Sequence, residues 1–128
     1  MNKKSIPKPT DSELEILHIL WENGPSSVRF VNDKLNERRE VGYTTTLKLM
    51  QIMAGKNIAV RNTESRTHIY EANISETDTQ KALLKKFVDA TFRGSAMNLV
   101  LQALGDHTAS KEELDSIKAL IKKIEDDQ

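Results

Sequence analysis

The stretch GYTTTLKLMQIMAGKNIAVRNTESRTHIYEA, residues 42–72, decides the fold. Three threonines, Thr44 to Thr46, open a segment of helical period. At about 100° per residue, Thr46, Leu47, Met50, Met53 and Ala54 gather on one side, and Thr44, Thr45, Lys48, Gln51 and Ile52 on the other. The first side is fit for a core. The second is polar and either uncharged or basic, with Ile52 as its apolar exception. IAVRN and THIYEA then alternate like strands about the turn TES, which predicts a β-hairpin.

Working back from there, Thr10 or Asp11 is positioned to cap a first helix that runs to about Asn23. Leu14, Leu17, Leu20 and Trp21 recur at helical spacing, and Gly24-Pro25 stops the helix. Glu13, Glu15 and Glu22 are expected on its polar side. Ser26 or Ser27 then caps a second helix with Val28, Val31 and Leu35 as the buried stripe. Three helices followed by a hairpin is the order of a winged helix-turn-helix domain, placed at residues 1–74.

From residue 75 the strand signals cease. SETD at 75–78 and SKEE at 110–113 have the form of capping boxes, and RGS at 93–95 ends one helix before another. Helices are expected at about 76–92, 96–104 and 111–125. The last carries Leu114, Ile117, Ile121 and Ile124 at heptad spacing with Leu120 beside them, and the first carries Leu84, Phe87 and Val88. Three short helices bury little alone. Pairing of these stripes, with Phe92, Leu99, Val100 and Leu104, therefore predicts a helical dimerisation domain at 75–128 and a homodimer. The fold class is mostly α with a small β-hairpin wing.

The 128 residues carry no net charge, with 38% hydrophobic and 30% charged side chains, as expected for a folded chain of modest core. No apolar run approaches membrane-spanning length, and none follows the basic start MNKKSIPKPT, so neither membrane insertion nor a secretion signal is expected. The cytoplasm is the expected location. The absence of cysteine excludes disulfides, thiolate clusters and cysteine nucleophiles. His18, His68 and His107 lie far apart without neighbours at ligand spacing, so no metal is expected, and His18 is assigned to the edge of the core. No nucleophile-base order or phosphate loop is present. No enzyme and no cofactor are expected.

Zero net charge hides a local bias. Between residues 41 and 63 the charged side chains are Lys48, Lys56 and Arg61, with no Asp or Glu. An acid-free outward helix face suits the major groove of double-stranded DNA, where threonine hydroxyls, lysine and glutamine hydrogen-bond base edges and phosphates. Thr44, Thr45, Lys48 and Gln51 are assigned there. Ser26, Ser27, Arg61, Arg66 and His68 take phosphate or wing positions. Taken singly, Thr44 reads as a helix cap and Lys48 as a solvated lysine; the order of elements favours DNA. The alternative from another class is a winged-helix module that binds protein and not DNA.

Four stretches carry a resemblance: PTDSELEILHILWENGP at the start, the TTTLKLMQIMAGKNI helix, RTHIYEA in the second wing strand, and FRGSAMNLVLQAL after it. From residue 9 to about 124 the chain resembles the penicillinase and methicillin-resistance repressors of the BlaI/MecI type, grouped with copper-responsive CopY repressors. The resemblance implies a repressor whose winged-helix domain binds a two-fold symmetric operator and whose helical domain dimerises. It places recognition-helix contacts on Thr44, Thr45 and Lys48. It further implies relief of repression by proteolysis, through a membrane-bound sensor protease, or by conformational change of the C-terminal domain. This chain departs from the pattern in three places. Ile52 stands where many members have a basic residue, Gln102-Ala103 stands where some are cut at Asn-Phe, and the copper-binding cysteines are missing.

Overall fold

Thr10 caps helix α1 (Asp11–Asn23): the Glu13 N–H donates to its Oγ1, and the Thr10 N–H donates to Glu13 Oε1. Gly24, at a φ of 78°, closes the helix by donating its N–H to the Leu20 carbonyl. The structure is a computed structural model, and it describes residues 7–64, 66–105 and 109–128. His107 and most of the basic start lie outside the described residues.

Ser26 and Ser27 form a two-residue strand, β1, and Ser27 also caps α2 (Val28–Asn36) by accepting the Phe30 N–H. Helix α3 (Tyr43–Gly55) follows, then β2 (Ala59–Asn62) and β3 (Ile69–Ala72). The expected hairpin is present, but it is part of a three-stranded antiparallel sheet in the order β1-β3-β2, with Ser26 opposite Tyr70 and Arg61 opposite Tyr70 on the other edge. β1 is too short to carry an alternating pattern, so in the sequence it reads as a cap alone. Three helices with this sheet make a mostly helical winged helix-turn-helix fold.

The core joins all of these elements. Ile16, Leu17 and Leu20 of α1 pack with Val31 and Leu35 of α2, Met50 and Met53 of α3, Ile58, and Tyr70 of β3. Each full burial of such a side chain contributes about 1.5–3 kcal/mol, enough to fix the mutual angles of three short helices.

Two expectations for α1 are corrected. Glu13 is not on the polar side with Glu15 and Glu22; it is only 2% exposed. Besides its capping bond, it receives Lys56 Nζ at 2.6 Å. His18, expected at the edge of the core, is exposed, with its ring 5.6 Å from that of Trp21. Burial alone would raise the Glu13 carboxyl, but Lys56 and the Thr10 bonds together hold it below its ordinary value of 4.5.

A carboxyl depressed in the folded state contributes stability that is present above pH 4.5 and lost as the pH falls through the folded value. Lys56→Met removes the counter-cation and leaves only the Thr10 bonds to oppose burial. Thermal melts from pH 3 to 8 should therefore show a loss of about 1–2 kcal/mol near neutrality. In the variant, the share of the acid-side decline that Glu13 contributes should shrink, so the gap between the two proteins narrows as the pH falls below 4.5. Unchanged melts across the range would remove the pair from the account of stability.

The chain divides into two compact units, Met1–Leu83 and Leu84–Gln128, with the division inside α4 (Glu76–Thr91). The start of α4 is held to the first unit. Trp21 Nε1 donates to the Ile74 carbonyl at 2.8 Å, and Thr79 is buried, donating to the Ser75 carbonyl.

In the second unit, α4 ends in a turn where Arg93 and Gly94 take φ values of 53° and 83°, and the Gly94 N–H reaches the Val88 carbonyl. Phe87 and Phe92 meet edge to face at 5.7 Å. α5 (Ala96–Gly105) and α6 (Lys111–Asp126) follow, the latter starting on a complete capping box of Ser110 and Glu113. Neither helix has a buried residue. Leu84, Phe87, Val100, Leu114, Leu120, Ile121 and Ile124 are exposed, as are Met97 and Leu101. Phe92, Leu99, Leu104 and Ile117 are half-buried. Val88, expected on the pairing face, is instead buried within the chain.

Candidate nucleic-acid interface

Helix α3 is oriented from beneath by amides. Asn32, buried on α2, donates through Nδ2 to the Val41 carbonyl at 3.0 Å and to Thr46 Oγ1 at 2.9 Å. Asn36 adds a bond from Nδ2 to the same carbonyl and accepts the Val41 N–H. Thr46 is fully buried and passes its own hydroxyl hydrogen to the Gly42 carbonyl. The inward third threonine is thus a structural pin. Asn32 and Asn36 carry no periodic signal and were not singled out in the sequence.

With the helix pinned on that side, Thr44, Thr45, Lys48, Gln51 and Ile52 are exposed together. The N-cap is Gly42, one residue before the helix, and no side chain caps the first turn. Thr44 therefore sits inside the helix with its hydroxyl outward and is not a cap. The first-turn N–H groups stay unmatched by any side chain, the usual setting for an anion at a helix start.

The other assigned residues separate by environment. Ser26 is buried, and its hydroxyl donates to the Gly24 carbonyl, so it does not present itself to a ligand. Ser27 is half-buried at the start of α2, and Arg61, Arg66 and His68 are exposed on β2 and the wing loop. Ser27, Arg66 and His68 come together. With Val28, Arg29, Tyr43, Leu47 and Thr67 they line an open cleft of about 290 Å³ between the starts of α2 and α3 and the wing. Among the described residues, no carboxylate lines it. Arg29, which sequence reading passed over, lies 4.9 Å above the Tyr43 ring.

The cations of this unit divide the same way. Lys34, Arg39 and Lys56 pair with Glu37, Glu15 and Glu13. Lys56 accordingly drops out of the expected basic patch. Among the described residues, Arg29, Lys48, Arg61 and Arg66 form no ion pair. No group of three potential metal ligands converges among the described residues.

Residues 9–123 match the family profile described as Penicillinase repressor. The chain belongs to the penicillinase repressor family. The Penicillinase repressor of Bacillus licheniformis is 23% identical over 118 residues, which span 92% of each chain. Transcriptional regulator BlaI of Mycobacterium tuberculosis is 34% identical over 61 residues, 47% of this chain and 44% of that one. Among solved structures, the DNA-binding domain of the repressor BlaI aligns with a TM-score of 0.52 at 25% identity, covering 59% of this chain and 93% of its own. The monomeric form of Bacillus licheniformis BlaI in complex with the blaP half-operator aligns with a TM-score of 0.51 at 25% identity and the same coverage.

Proposed function

We propose that this penicillinase repressor is a homodimeric transcriptional repressor that binds a two-fold symmetric operator, each subunit laying α3 in a major groove. The observation that carries the reading is the outward face of α3: Thr44, Thr45, Lys48 and Gln51 exposed side by side without a carboxylate. Duplex DNA repels acids along such a face, whereas a protein partner sets no such demand. The BlaI half-operator complex supports placing this domain against DNA. Arg61, Arg66 and His68 lie along the sugar-phosphate backbone beside the groove, and Ser26, being buried, takes no part.

The exposed apolar stripes of α4, α5 and α6 pair two subunits and set the half-site spacing. Relief of repression comes from cutting or reshaping this region, with a membrane-bound sensor protease as the family-implied partner, because subunits that separate lose paired binding. Leu99 to Ala103, the segment that corresponds to the cut region of some family members, lies within α5 and is largely exposed. No helix among the described residues is long and apolar enough to cross a membrane. The repressor works in the cytoplasm, where the DNA is.

A gel shift on the protein's own upstream region across a salt series tests the reading. Binding should fall steeply with salt, and Lys48→Ala should make the log–log slope shallower by about one. Absence of any shift on upstream fragments would favour the protein-binding module.

A further inference from the structure

The cleft beside the recognition helix holds a cation that the groove-facing residues do not account for. We propose that Arg29 anchors a backbone-phosphate seat, formed with Ser27, Tyr43, Arg66 and His68, that clamps the DNA strand next to α3. The proposal rests on the reading of α3 as the groove-entering helix and adds a contact that this reading leaves out.

Three observations place an anion there. The guanidinium lies 4.9 Å over the Tyr43 ring, which holds the side chain at the mouth of the cleft and lowers the ordering needed to grip a ligand. Asp33, one turn along α2, is exposed and makes no ion pair with Arg29 among the described residues, so the charge is not neutralised locally. The lining brings a second guanidinium, Arg66, and the His68 imidazole to the same opening, with no carboxylate among the described residues there.

Ser27 adds a donor. Its oxygen already accepts the Phe30 N–H, which leaves its own hydrogen to give away. Tyr43 is the first residue of α3, whose first turn no side chain caps, so the N–H groups at the helix start open near the same cleft. A phosphodiester oxygen satisfies guanidinium, hydroxyl and helix start together. A base edge would need donors and acceptors set in one plane, and the helix before the recognition helix crosses the backbone and not the groove floor.

The test uses the full chain, a labelled duplex of its own upstream region and a scrambled duplex of equal length, with anisotropy read between 50 and 300 mM KCl. Arg29→Ala should weaken binding about tenfold on both duplexes and make the log–log salt slope shallower by about one. Arg29→Lys should keep the slope while losing part of the affinity. Tyr43→Ala should reproduce part of the Arg29→Ala loss and add little to it in the double variant. Arg29 is exposed, so equal thermal midpoints are expected and are measured alongside.

An unchanged slope and affinity in Arg29→Ala overturn the phosphate seat. So does a loss confined to the upstream duplex, which would make Arg29 a base reader. If the parent itself binds neither duplex, the fault lies with the DNA-binding reading. That outcome is separate from the first two, which both require a parent that binds.

Discussion

Phe87→Glu combined with Ile121→Glu should turn the protein into monomers and weaken its hold on a complete operator by about a hundredfold or more, while binding to an isolated half-site stays near the parent's. The size of the effect follows from the second unit. Two helices without a buried residue, and a third with Leu84 and Phe87 about half exposed, leave an apolar surface that a lone soluble chain does not keep open to water. Covering the remaining half of each side chain contributes roughly 1 kcal/mol, repeated across stripes from both subunits. Tethering would then make the second half-site encounter intramolecular, and most of the affinity for a two-fold operator should reside there. Sedimentation equilibrium with paired gel shifts on full and half operators measures both quantities. A double variant that remains dimeric, or a parent that is monomeric at micromolar concentration, would remove the pairing face from the account.

The second large effect is expected at Asn32. Asn32→Ala withdraws both donors from Thr46 Oγ1 and the Val41 carbonyl in the dry space under α3. A buried amide lost in this way costs about 2–3 kcal/mol, which lowers the thermal midpoint of a domain this size by roughly 10 °C or more. Asn32→Asp should do at least as much harm, because it sets a carboxylate against a carbonyl and a hydroxyl oxygen. Asn36→Ala should cost about 1 kcal/mol or less, since Asn36 is exposed and the Val41 carbonyl keeps its bond from Asn32. Operator affinity should follow the same order, because α3 loses the support that points Thr44, Thr45 and Lys48 outward. Equal melting of Asn32→Ala and Asn36→Ala would show that the two amides do not divide the work this way.

The recognition helix was legible because its two faces obey different chemistries at one period. Methionines and leucine mark the inside, and hydroxyls, lysine and glutamine mark the outside. The wing was legible for the same reason, with an alternating pattern broken by a polar turn. Glu13 was not. Its helical position matches that of any solvated acid, and its partner Lys56 lies 43 residues away along the chain. That pair also removed one cation from the basic patch. Arg29 escaped notice for the opposite reason: its stacking on Tyr43 exists only once α2 and α3 have been brought side by side. Ser26 was over-read, since a serine before a helix resembles a phosphate contact until the strand pairing with Tyr70 buries it.

By itself the sequence determined where helices begin and end, which face of α3 is fit for a groove, and that the tail carries more apolar surface than it can hide. Those properties follow from caps, turn residues and hydrophobic period, all of which act within a few residues of one another. Only the tertiary structure decided which cations remain unpaired, which threonine is a pin, and where the α2 start meets the wing. Such matters depend on atoms brought within about 3 Å by distant parts of the chain, and no local pattern encodes that distance.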